Sequence, residues 1–217
     1  MPPEKLHNVN KVSELDQISR GGNGLSRAFG ALLLRVSGWR IEGELPNTPK
    51  MVLAVGPHTS NWDFFLGVAV LFALGIKIRF LGKHTIFVPG IRWWLKSIGG
   101  IPVNRRAAHG MVEQVTNIFQ TQKKMILAVA PEGTRSYIHP WKSGFIRIAH
   151  RADVPVVLIG FDFVRKAVVL GPHFSPSGDI EKDMQTVYSF YASVPAKYPV
   201  NTSAHSAVAN GDVSSDQ

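Results

Sequence analysis

The chain has 217 residues, 45% apolar and 18% charged, a globular composition long enough to bury the core of one domain. It contains no cysteine, which excludes disulfide scaffolds, thiol nucleophiles and cysteine-ligated metals. A formal charge of +9 and a pI near 10.0 imply an anionic partner: nucleic acid, an anionic membrane or a phosphorylated substrate.

In chain order, residues 1–24 are polar and end in Gly21-Gly22-Asn23-Gly24, a turn or linker with no apolar core of a secretory signal. Leu25–Ile41 reads as an amphipathic helix, with Leu25, Phe29, Leu32, Leu33 and Val36 at helical spacing. Such a stripe suits either core packing or a membrane interface with Trp39 at headgroup level. Met51–Gly56 reads as a buried strand and Phe64–Leu74 as a helix. The uncharged apolar run Phe64–Ile76 would span roughly 20 Å as a helix, too short for roughly 30 Å of bilayer hydrocarbon.

Further along, Ile78–Leu81 is strand-like, Ile91–Ser97 a short helix after Pro89-Gly90, and Ile101–Val103 a short strand. Gly110–Thr121 reads as a helix, Met125–Val129 as a strand, Ser143–Arg151 as a helix, and Val154–Phe161 and Ala167–Leu170 as strands. Asp179–Ser193 closes the order as a helix. This alternation predicts a single α/β domain over residues 25–200, with a mixed or mostly parallel central sheet flanked by helices and an N-terminal amphipathic helix. Residues 201–217, without aromatics and rich in Ser, Ala and Asn, read as a disordered tail.

No acidic residue occurs between Asp63 and Glu113, whereas Lys77, Arg79, Lys83, Arg92, Lys96, Arg105 and Arg106 do. A one-sign interval of this length predicts a basic face. Trp93 and Trp94 sit beside Arg92 and Lys96, a mixture suited to lipid headgroups or single-stranded nucleic acid, or else to core aromatics with a solvated basic fringe. No RNA-binding or zinc-finger signature accompanies them.

Three segments carry groups capable of chemistry. His58 follows the strand Met51–Gly56 and precedes Asp63 by five residues, at the end of a strand where α/β folds usually place ligands. A carboxylate bonded to one imidazole nitrogen fixes the tautomer and leaves the other nitrogen to accept a proton. Ser60-x-x-Asp63 is also a possible capping box, and the spacing alone is weakly specific. Pro131-Glu132-Gly133-Thr134-Arg135-Ser136 follows the strand Met125–Val129, and Gly99-Gly100-Ile101-Pro102-Val103-Asn104-Arg105-Arg106 is another glycine turn delivering arginines. Each suits either an ordinary turn or an oxyanion cradle of backbone N–H groups and guanidinium.

Together these segments resemble the glycerolipid acyltransferase family, typified by bacterial 1-acylglycerol-3-phosphate acyltransferases. Four blocks occur in the family's order: His58-TSNW-Asp63, Gly100-IPVN-Arg105, Pro131-EGTR-Ser136 and Val154-Pro155-Val156-Val157. The likeness runs over about residues 39–171, and the Glu-Gly-Thr-Arg string is its most specific part. Pro57, Ala130 and Leu158 depart from the family's usual asparagine, aromatic residue and second proline, which leaves the acceptor subgroup open.

The resemblance implies transfer of a fatty acyl group from a thioester of coenzyme A or acyl carrier protein to a lysophospholipid hydroxyl, with 1-acylglycerol-3-phosphate the first acceptor to consider. Another lysolipid or an aminolipid precursor is the second, and a non-enzymatic anionic-lipid-binding module is the reading from another class. By the resemblance, His58 is the general base and Asp63 its partner, while Arg105, Glu132, Gly133, Thr134 and Arg135 bind the acceptor. It implies no metal, no resident cofactor and no nucleic acid. The expected location is the cytoplasmic face of a membrane, peripherally attached to an anionic surface through Leu25–Ile41 and Ile91–Ser97.

Overall fold

A computed structural model describes residues 16–57, 62–83, 85, 87–103, 110–133 and 139–198. The elements run α1 (Gly24–Ser37), β1 (Arg40–Gly43), β2 (Lys50–Gly56), α2 (Trp62–Leu74), β3 (Arg79–Lys83), α3 (Arg92–Ser97) and β4 (Gly100–Val103). They continue with α4 (Gly110–Thr121), β5 (Met125–Val129), α5 (Gly144–Ala152), β6 (Val156–Asp162), β7 (Ala167–Phe174) and α6 (Ile180–Ala192). The expected α/β domain is therefore present, built on one seven-stranded sheet in the order β1-β7-β6-β2-β5-β3-β4.

Five adjacent strands are mutually parallel: β6 and β5 flank β2, β3 follows β5, and β4 follows β3. β7 returns antiparallel to β6, and β1 lies parallel to β7 on the outer edge. β2 and β6 are apolar along nearly their whole length because helices cover both sides of the sheet. One core forms where Val52 and Ala54 of β2 face α4, α5 and α6, and a second where Met51 and Leu53 face α1 and α2. Each fully buried Leu, Ile or Phe in these layers contributes about 1.5–3 kcal/mol.

The first helix departs from expectation at both its end and its orientation. It starts on a reciprocal cap, Ser26 N–H donating to Asn23 Oδ1 at 2.9 Å and Asn23 N–H to Ser26 Oγ at 2.8 Å. It stops at Ser37 and does not continue to Ile41, because Gly38 adopts φ 75° and the Trp39 N–H turns back to Leu34 O at 2.8 Å. Arg40–Gly43 then forms the unforeseen edge strand β1. Trp39 lies beyond the helix and packs edge-on against Phe163, with ring centroids 5.0 Å apart.

The apolar stripe of α1 does not pack inward. Leu25 and Val36 are each 79% exposed, and Phe29, Leu32 and Leu33 are exposed as well; Gly30 and Leu34 are buried instead. Phe64, Phe65 and Phe72 of α2 are exposed too, so the two helices form a broad apolar outer face. Trp93 and Trp94 of α3 are 76% and 52% exposed and are not core residues. No described helix is long and apolar enough to cross a membrane.

Glycine permits the close contact of α1 with α2. A β-carbon on Gly30 would lie 2.5 Å from the Ala73 backbone nitrogen and 2.7 Å from Ala69 O. Gly30→Ala gains about 1 kcal/mol of helix propensity but forces the helices apart. The expected net result is a loss of about 1–2 kcal/mol in urea unfolding, since overpacking costs about 1–3 kcal/mol. Stability equal to or above the parent would show that the interface yields freely.

Candidate active site

Because β2, β3, β4, β5 and β6 are parallel, their carboxyl ends share one edge of the sheet, where ligands bind in open α/β folds. The segment after β2 contains His58, the segment after β4 contains Arg105, and the turn after β5 contains Glu132 and Gly133. His58, Arg105, Thr134 and Arg135 themselves lie outside the described residues. Asp63 stands in the first turn of α2 and is 1% exposed. A carboxylate there is favoured by the positive end of the helix dipole.

The Ala130–Gly133 segment is a tight turn. Gly133 N–H donates to Ala130 O at 3.0 Å, and Gly133 has φ 65°, a conformation that favours glycine. Lys142 N–H donates to Pro131 O at 3.2 Å, and the Lys142 side chain lies beside the turn, its Cδ 3.6 Å from where a Gly133 β-carbon would be. Lys142 is a cation that the motif reading did not select. The only sequence signal for it is its adjacency to Trp141, which anchors the segment by burial.

Trp141 belongs to an aromatic group with Tyr188 and Tyr191 of α6, at centroid distances of 5.1 and 5.3 Å. Trp141 N–H donates to the Tyr188 hydroxyl at 2.7 Å, and the Tyr191 hydroxyl donates to Ala54 O in β2 at 2.6 Å. Glu132, 3% exposed, lies near this group.

A cavity of about 920 Å³ extends from this edge along both sides of the sheet, with Leu53 and Val70 on the α2 side and Met111, Phe145 and Ile148 on the α4 and α5 side. Asp63, Gly67 and Leu71 of α2, Ile98, Phe161 and Gly133 are among the residues of its wall. The ladder between β3 and β5 covers only Arg79↔Leu127 and Phe80↔Ala128, and Leu81 and Val129 just beyond it also line the cavity. The lining is mainly apolar, of a kind suited to a hydrocarbon chain, and Asp63 and Lys142 are its charged members. No group of three His, Cys, Asp or Glu able to hold a metal occurs among the described residues.

Burial, and then the Glu132 charge, push the Tyr191 phenol well above its ordinary value of 10.0, with a main-chain hydrogen bond from Ile159 acting the other way. Burial likewise raises Tyr188, offset by the hydrogen bond from Trp141. Both groups favour the neutral form in the fold, so their contribution is complete below pH 10.0 and falls as pH rises beyond it toward their folded values. Ultraviolet titration should show both phenolates forming only above pH 10.0, Tyr191 later than Tyr188. In Tyr191→Phe, the stability loss above that pH should shrink; an unchanged alkaline profile would contradict the assignment.

A family model described as Acyltransferase matches residues 40–162. The chain is 35% identical over 107 residues to 1-acyl-sn-glycerol-3-phosphate acyltransferase BAT2, chloroplastic, of Brassica napus, covering 47% of this chain and 31% of that protein. It is 32% identical over 111 residues to 1-acyl-sn-glycerol-3-phosphate acyltransferase LPAT1, chloroplastic, of Arabidopsis thaliana, covering 48% and 31%. These matches span under a third of each relative's length. The crystal structure of the 1-acyl-sn-glycerophosphate acyltransferase PlsC from Thermotoga maritima aligns over 79% of this chain and 80% of its own, with TM-score 0.48 and 18% identity. Matched through more than half its length, from β1 to the end of β6, the chain belongs to the Acyltransferase family.

Proposed function

We propose that this protein transfers a fatty acyl group from an acyl thioester to the free hydroxyl of 1-acylglycerol-3-phosphate, in phospholipid synthesis or remodelling. The observation carrying this reading is the apolar cavity of about 920 Å³ with Asp63 and Gly133 in its wall. Family membership and the two plant relatives, named for that acceptor, support it. The donor is acyl-coenzyme A or acyl carrier protein, used as co-substrate with no resident cofactor.

The Nε2 or Nδ1 of His58 removes the acceptor's hydroxyl proton as its oxygen attacks the thioester carbonyl, while Asp63 orients the ring and stabilises the imidazolium. The tetrahedral intermediate collapses with loss of the thiolate, which takes the proton back from His58. No acyl-enzyme forms, in keeping with a chain that lacks cysteine. Arg105 and Arg135 pair with the acceptor's phosphate, and Glu132, Gly133 and Thr134 shape the loop around its glycerol portion.

A lysolipid acceptor resides in a bilayer, so the enzyme works at its cytoplasmic face. The exposed apolar faces of α1 and α2 and the Trp93–Trp94 patch of α3 insert into the interface. Arg27, Arg35, Arg92 and Lys96 on the same elements face anionic headgroups.

Purified protein in mixed micelles, given lysophosphatidate and a panel of other lysolipids and aminolipids with both donors, tests the chemistry. His58→Ala should lower turnover at least about 100-fold, the lower range for a positioned general base. Undiminished product in that variant removes His58 from its role. Micelle binding without product on any pairing would favour a lipid-binding module. The best acceptor in the panel decides between lysophosphatidate and another lipid.

The cavity makes a separate prediction. At Gly67 an added β-carbon would meet nothing closer than Phe161 Cζ at 3.9 Å, so Gly67→Leu can project into the space. Palmitoyl donors should lose about tenfold in kcat/KM, since each displaced methylene is worth about 1–3 kcal/mol, while octanoyl donors stay near the parent value. Equal effects on both donors would mean that the cavity does not hold the acyl chain.

A further inference from the structure

The end of β2 and the turn after β5 meet on a side chain supplied by α6, which lies outside the residues matched by the family. Tyr191 is fully buried, and its hydroxyl donates to Ala54 O at 2.6 Å, two residues before Gly56. A β-carbon on Gly56 would lie 3.2 Å from Tyr191 Cε1 and 3.7 Å from Glu132 Oε2. Strand β2, the buried Glu132 and the Tyr191 ring are thus packed together immediately before Pro57 and His58. The ring is itself held by Trp141 at 5.3 Å and Phe190 at 5.1 Å.

We propose that Tyr191 is a positioning residue: it fixes the end of β2, from which His58 follows, against the Glu132–Gly133 turn. As a statement about catalysis this rests on the acyl-transfer reading; as a statement about the two segments it does not. Tyr191 acts through Gly56 and Glu132 and touches no substrate. Without its hydroxyl, the strand end loses a hydrogen bond at the point where the catalytic segment leaves the sheet. Small displacements of reacting groups from their productive geometry reduce turnover steeply while leaving binding largely intact.

The test compares Tyr191→Phe with Tyr188→Phe in the full chain. Tyr188 lies on the same helix, and its hydroxyl accepts from Trp141 N–H, away from β2. Circular dichroism and thermal unfolding measure the folded fraction of each variant. Per folded molecule, Tyr191→Phe should lower kcat about tenfold or more, with KM for both substrates within about twofold of the parent. Tyr188→Phe should keep kcat within about twofold.

Hydrogen–deuterium exchange of the peptide covering residues 57–66 should accelerate in Tyr191→Phe and not in Tyr188→Phe. An unchanged kcat, unchanged exchange, or an equal kcat loss in both variants overturns the proposal, the last because it would reflect general loosening of α6. If the parent protein makes no product with any acceptor, the acyl-transfer reading fails, and the exchange comparison alone decides whether Tyr191 holds the segment.

Discussion

The parallel ladder between β2 and β5, from Lys50↔Met125 to Ala54↔Val129, is the constraint on which the rest of the molecule depends. It puts the carboxyl ends of two strands, each followed in sequence by a motif, side by side at the same edge. A parallel pair demands a long crossover, and here that crossover contains α2, β3, α3, β4 and α4. The basic interval between Asp63 and Glu113 lies within it. β3 and β4 extend the parallel order on the far side of β5, which brings the end of β4 to the same edge. The geometry of the site is therefore a property of strand order before it is a property of any loop.

The same sheet explains the outer surface. Its α2 side is covered by a helix that is apolar almost all round, so burying Leu66, Val70 and Leu74 leaves Phe64, Phe65 and Phe72 outside. The first helix cannot cover them, because it meets α2 through Gly30 and Leu34 and turns its own apolar stripe outward. Two adjoining helices with exposed aromatic and aliphatic rows exceed the scattered hydrophobics of an ordinary surface. Of the two helices α1 alone carries basic residues, Arg27 and Arg35, and the proposed use of a lipid substrate would give this face a lipid surface to meet.

Much of this architecture was legible in the sequence. Buried strands such as Met51–Gly56 and Met125–Val129 are short apolar runs with turn residues at their ends, and between them α4 keeps a 3.6-residue apolar period whereas α2 is read from its unbroken apolar run. The four-residue edge strand β1 was not legible, because Arg40-Ile41-Glu42-Gly43 has no such run and follows the α1 stripe directly; the stop at Gly38 was the available signal. Periodicity also reports that α1 has an apolar face without reporting which way it turns. That depended on the close approach at Gly30, a contact with a residue more than forty positions away. At the candidate site, the motifs led to Asp63, Glu132 and Gly133, whereas Lys142 and Tyr191 arrive through tertiary packing and belong to no local pattern.

The burial of Glu132 changes how the Pro-Glu-Gly-Thr-Arg string should be understood. A short motif after a strand invites the reading that every polar member faces the ligand. Here Glu132 is 3% exposed and lies close to Gly56 and Tyr191, whereas the next residue, Gly133, is exposed beside Lys142 and the cavity. Burying a carboxylate is costly unless its surroundings compensate, and a turn made around one is correspondingly specific in shape. Replacing Glu132 would therefore disturb the Ala130–Gly133 turn itself. Within the described residues, the motif therefore joins a buried carboxylate at Glu132 to an exposed glycine at Gly133, whose positive φ makes the turn between them.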